Sequence, residues 1–174
     1  MKKFELTNEF ITNMFGTKLF RIRALVEFGD VEAGELGGYV EKESNLGHDD
    51  NAWVYDNAWV YGDAQVSGDA RVYDNAWVYD NAWVYGDARV CGNGDYAYAH
   101  GFGSVNRTTT FFRLKDGGVG VRCGCFYGTL AQFRDKIRET HGESAIAEEY
   151  LDLAALMEKR FRRTGNEQKT EEES

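Results

Sequence analysis

Histidine, cysteine and paired aromatic side chains are the groups in this chain whose types and spacing could do chemistry. There are three histidines, His48, His100 and His141. A histidine can act as general base when it sits beside a substrate cleft. His100, in the run AYAHGFGSV, is the candidate catalytic residue for such a role, although a histidine in a glycine-rich loop equally serves as a surface or capping residue. His141 beside Gly142 suits a helix C-terminus, where its cation is favoured. Cys123 and Cys125 would share one strand face, but a zinc site needs four ligands and no second pair supplies them, so no metal is expected. No glycine run joins a strand to a helix through Lys-Ser or Lys-Thr, so no phosphate cradle and no cofactor is expected.

The aromatic residues carry a different chemistry, that of contact. Residues 51–92 read NAWVYD NAWVYG DAQVSG DARVYD NAWVYD NAWVYG DARVCG, seven six-residue units without insertion. Asn or Asp comes first, Ala second and Val fourth, and Gly or Asp closes each unit. A strict short period fixes architecture before any single residue does. In an extended segment Ala52 and Val54 face one side, and Trp53 and Tyr55 face the other. Asp-Asn and Gly-Asp junctions tolerate left-handed backbone and make their own turns. Each unit is therefore a very short strand and a corner. Three units close a coil of eighteen residues, and coils stack at about 4.8 Å.

At a spacing of eighteen, Trp59 lies under Trp77, Tyr61 under Tyr79, and Gln65 under Trp83. Trp53 lies under Arg71 and Arg89, and Tyr55 under Tyr73 and Cys91. Residues 51–62 recur verbatim as 75–86, an advance of four units, so each aromatic pair moves to the next face. An exposed aromatic ladder of this kind marks an interface. The expected binding residues are Trp59, Tyr61, Trp77, Tyr79 and Trp83, with Asp56, Asp74 and Asp80 at the corners.

The flanks read differently. Phe20, Ile22, Ala24 and Val26 alternate as a strand does. Tyr39, Val40 and Leu46 begin the coil out of strict register, as a cap over its lower end. Residues 111–114 and 119–125 predict a hairpin across Asp116-Gly117-Gly118. Thr129 with Gln132 three residues on is a capping-box pattern, and Leu130, Phe133 and Ile137 form the apolar stripe of a first helix. Ser144 caps a second, whose stripe is Ile146, Tyr150, Leu153, Met157 and Phe161. Lys159, Arg160, Arg162 and Arg163 fall in its last turn; a nucleic-acid contact would have to use them. The expected domains are 1–44, N-terminal strands and cap; 45–95, the β-helix; 96–165, an α+β module; and 166–174, a disordered acidic tail.

The formal net charge of −9 argues against phosphate-backbone binding and permits a surface that occupies a basic channel in another protein. No apolar run is long enough for a membrane span, and the N-terminus has no signal core. Three cysteines in no framework spacing suit a reducing cytoplasm.

The repeat resembles the left-handed parallel β-helix of hexapeptide-repeat proteins, whose aliphatic position matches Val54, Val60, Val66, Val72, Val78, Val84 and Val90. The runs RIRALVEFGDVEAGELGGYVEKESNL and NRTTTFFRLKDGGVGVRCGCFYGTLAQFRDKIRETHG resemble bacterial and phage-borne repeat proteins, some of which carry an acetyltransferase label. The resemblance implies a mainly β fold: a short left-handed parallel β-helix with an N-terminal β cap and a C-terminal hairpin and two helices. It also implies homotrimers, while dimers through the helical module stay open. Acyl transfer from acetyl-CoA through His100 is one expectation. The repeat, however, has no inserted loop and spans only two and a third coils. A small-molecule or nucleotide sponge is another. The expectation set first is a non-catalytic, phage-type interaction protein of the bacterial cytoplasm. It would bind a protein or nucleoprotein complex, one version being an inhibitor of a bacterial defence system of the anti-CRISPR type.

Overall fold

The computed structural model describes residues 1–172, with side chains through residue 165. It is mainly β with two helices, and it divides into two compact units, Met1–Asn93 and Gly94–Ser174.

In the first unit every hexapeptide contributes a two-residue strand: β4 Trp53–Val54, β5 Trp59–Val60, β6 Gln65–Val66, β7 Arg71–Val72, β8 Trp77–Val78, β9 Trp83–Val84 and β10 Arg89–Val90. Consecutive strands visit three parallel sheets in rotation, so the chain returns to the same sheet after eighteen residues. Trp59 pairs with Trp77, Gln65 with Trp83, and Trp53 with Arg71 and then Arg89. Two backbone bonds join each rung to the next, as in Trp59 N–H to Ala76 C=O (2.9 Å) and Tyr61 N–H to Val78 C=O (3.0 Å). All seven valines of the column are fully buried, and the seven alanines are at most 1% exposed. Burying each valine is worth ~1.5–3 kcal/mol as an upper bound. The corners turn through left-handed residues: Asp56, Gly62, Gly68, Asp74, Asp80 and Gly86 all have φ between 49° and 76°. At Gly68 a side chain would also strike the Gly86 nitrogen at 2.7 Å.

Below the repeat, β1 (Phe4–Thr12), β2 (Lys18–Ala24) and β3 (Leu36–Val40) form an antiparallel set, and β3 continues in parallel onto β5. Tyr39 pairs with Trp59, Val40 with Val60 and Leu46 with Val66, an offset of twenty rather than eighteen. The first return to each of these sheets thus carries two extra residues, out of strict register, and the ladder crosses the boundary expected at 44/45. In β2 the buried residues are Leu19, Ile22 and Ala24, not Phe20, because the pairing with β3 shifts register between Arg21 and Arg23.

Lone backbone acceptors at this end meet two buried polar side chains. Lys3 Nζ donates to the carbonyls of Asp50 and Ala52, both at 2.8 Å, and to Asp50 Oδ1 at 3.2 Å, while lying 4.6 Å over the Phe28 ring. Its burial pushes its pKa below the usual lysine value against the pull of Asp50. Asn45, fully buried, donates to the carbonyls of Gly62 and Ala64. At the upper end, Asn93 Oδ1 accepts the Trp77 N–H at 2.8 Å.

The second unit is a four-stranded antiparallel meander, β11 (Tyr96–Phe102), β12 (Arg107–Arg113), β13 (Val119–Cys123) and β14 (Phe126–Thr129), followed by α1 (Leu130–His141) and α2 (Ala145–Glu172). The expected hairpin is β12–β13, and β11 and β14 extend it on either side. Thr129 and Gln132 form the capping box, and Ser144 Oγ accepts the Ala147 N–H. Phe111, Val121, Phe133, Ala147, Tyr150, Ala154 and Phe161 make the core between sheet and helices. Arg113 joins the layers: it pairs with the fully buried Asp95 at 2.9 Å and donates to Phe161 C=O and Thr164 Oγ1.

Two expectations about this unit are corrected. The backbone of α2 is helical to Glu172, where Glu, Gln and Lys favour helix and no proline breaks it; the side chains of the expected tail, 166–174, and Glu173 and Ser174 altogether, lie outside the described residues. Lys159, Arg160, Arg162 and Arg163 consequently stand inside the helix, roughly two and a half to three and a half turns before its end, and not in the last turn. Cys123 and Cys125 do not share a strand face. β13 ends at Cys123, Gly124 turns at φ 58°, and Cys123 is buried while Cys125 is exposed.

Candidate docking surface

The Val-in, aromatic-out alternation of each strand sets the outer face of the sheet formed by β3, β5 and β8. Position three of a unit supplies Trp and position five Tyr, on either side of the buried valine. On this face the eighteen-residue return lays Trp77 over Trp59 with ring centroids 4.6 Å apart and planes within 3°. It lays Tyr79 over Tyr61 at 5.4 Å and 15°. Stacked pairs of this kind contribute about 0.5–1.5 kcal/mol beyond their area. Trp59, Tyr61 and Tyr79 are half-buried, and Trp77 is 37% exposed. Burial, reinforced by Tyr79 and Asp80, holds the Tyr61 hydroxyl above its ordinary pKa. The exposed corners Asp56 and Asp74 precede the two tryptophans, and Asp80 follows Tyr79.

Trp83 is not part of this face. It pairs with Gln65 on another sheet, its Nε1–H donates to Ser67 Oγ at 3.3 Å, and its ring meets Tyr85 edge-on. Trp53, expected to point outward, does so only to be covered. It is fully buried against Phe28 (5.3 Å) and Phe4 (6.2 Å), and Gly37 packs so close that a Cβ there would lie 2.8 Å from its ring.

Sequence reasoning missed the residues that flank these columns. Arg21 lies 5.1 Å over the Tyr39 ring and donates to its hydroxyl, which donates in turn to Glu9. On the third sheet, Arg71 lies 5.9 Å over Tyr55 and donates to Asp30 at 2.6 Å, and the Tyr55 hydroxyl donates to the same carboxylate. Burial pushes Tyr55 up to about 12. The eighteen-residue spacing placed Arg71 over Trp53, its strand partner, but did not show its reach to Tyr55, and Asp30 lies outside the repeat and gave no signal.

His100 sits on β11 in the second unit, exposed, with Nδ1 2.8 Å from Thr108 Oγ1 on β12. It is therefore a strand residue and not the loop residue expected. His48 stacks on Phe4 at 4.3 Å, and His141 on Tyr150 at 6.0 Å. Among the described residues no three His, Cys, Asp or Glu side chains converge to hold a metal ion, and no helix is long and apolar enough to cross a membrane.

The repeat is of the β-solenoid class. Residues 64–80 match a family model described as the YdcK beta solenoid repeat. No curated protein matches the chain.

Proposed function

We propose that this chain is a non-catalytic interaction protein that captures a protein partner on the outer face of β5 and β8. The observation that carries the reading is the pair of stacked aromatic columns, Trp59–Trp77 and Tyr61–Tyr79, presented on one rigid sheet. Large ordered aromatic side chains lose little entropy on binding and dominate interface energetics. In the same reading the three sheets close as a triangular left-handed coil with a solid interior of valine and alanine, which leaves the exterior for contact. The resemblance to phage-borne repeat proteins supports a partner inside an infected bacterium, such as a defence complex, and self-association as a trimer or dimer.

Replacing Trp59 and Trp77 together by Ala tests it. Partner capture from host lysate should be lost, while far-ultraviolet circular dichroism and a single cooperative thermal transition are retained, its midpoint lowered by the lost stacking. Capture at wild-type affinity by a folded double variant overturns the proposal.

A further inference from the structure

Resting on that reading of the aromatic face, we infer that its occupant is an arginine-rich segment of the partner protein, seated on the strip formed by Asp56, Trp59, Asp74 and Trp77. Charge complementarity is the first argument. Residues 1–93 hold eight Lys and Arg against sixteen Asp and Glu, so this unit carries −8 of the chain's −9. Asp56 and Asp74 stand on successive coils at exposed corners. Among the described residues no cation lies within ion-pair distance of either. The Asp56 carboxylate accepts the Asp74 N–H at 3.4 Å, which fixes the two corners one above the other.

The second argument is that the tyrosines of this unit that carry a cation carry arginine: Arg71 lies over Tyr55 and donates to Asp30, and Arg21 lies over Tyr39, whose hydroxyl donates to Glu9. The lysines Lys3 and Lys18 lie over phenylalanines, Phe28 and Phe10. Tyr39 lies one rung below Trp59. A guanidinium is planar and weakly hydrated, so at an exposed site it lies flat on a ring while its rigid fork donates to a carboxylate; an ammonium is a strongly hydrated point charge, and the lysine of this unit that meets both a ring and a carboxylate, Lys3, is buried. The strip repeats that combination, ring and carboxylate on each of two coils, with Trp77 37% exposed at its upper end.

The test uses the full chain and synthetic ligands: oligoarginine, oligolysine, oligoglutamate and spermine, by calorimetry at low and physiological salt. Oligoarginine should bind best, and its binding should weaken as salt rises. Asp56→Asn/Asp74→Asn should weaken it about threefold to tenfold. Asn tolerates the left-handed corner, so this variant keeps its melting midpoint. Asp87→Asn, a single-charge control at another exposed position, should bind as wild type. Failure of oligoarginine to bind at low salt, equal binding of oligolysine or spermine, or unaltered binding by the Asn pair overturns the inference. If the Trp59/Trp77 variant loses its partner while the Asn pair retains both partner and oligoarginine, the aromatic face stands and the arginine assignment falls. Retention by both variants overturns both.

Discussion

Two identical hexapeptides, NAWVYD at 51–56 and at 75–80, give their tryptophans opposite fates. Trp53 is fully buried and Trp77 is 37% exposed. The repeat dictated which side of the strand each faces. What covers Trp53 is Phe4, Phe28 and Gly37, some fifteen to fifty residues upstream, and no periodicity reports on that. The valine interior was legible residue by residue because each Val meets a copy of itself. The left-handed corners were legible for the same reason. At Asp74, φ is 57°. Asp74→Gly should therefore be neutral or slightly stabilising, whereas Asp74→Val should cost about 1–2 kcal/mol, read from urea unfolding followed by Trp fluorescence.

At the scale of elements, the N-terminal segment closes the open end of the repeat. Bare ladder ends invite edge-to-edge pairing. Here β3 adds a rung, and Lys3 and Asn45 satisfy carbonyls that no further coil would reach. Lys3→Met keeps the aliphatic stem and leaves the buried Ala52 carbonyl and the half-buried Asp50 carbonyl unpaired, so it should destabilise by about 1–3 kcal/mol and promote end-to-end association, seen by denaturation and by light scattering. Lys2→Met removes an exposed pair with Glu43 and should change stability by less than about 1 kcal/mol. This capping was only half legible: Tyr39, Val40 and Leu46 announced an irregular first coil, while a lysine at position 3 bonding to position 52 did not. In the second unit the capping box and apolar stripes marked both helices, but β11 and β14 were hidden by glycines and by exposed faces that blur the alternation.

Across the whole chain the two units differ in charge and share an alkaline limit. The first carries −8 and the second −1. Each holds a tyrosine pushed up to about 12 by burial, Tyr55 in the first and Tyr150 in the second, the latter helped by Cys123. Above pH 10 the unfolded chain releases these phenolic protons while the folded units keep them. The folded state then binds more protons, so stability falls as pH rises from about 10 toward 12 and is fully retained below 10. Melting midpoints measured across that range should drop, and Tyr55→Phe should flatten the loss arising from the first unit. A midpoint independent of pH there would contradict the burial of both hydroxyls.

Because the chain returns to the same sheet after eighteen residues, the outward rows of the first unit are set by arithmetic. Adding eighteen residues would lengthen every row of outward side chains by a single member and preserve each row's identity. Adding one hexapeptide would keep the valine column intact and slide every later row to the next of the three sheets. The fourfold advance from 51–62 to 75–86 is such a slide, and it is why tryptophan meets tryptophan along one side and arginine along another.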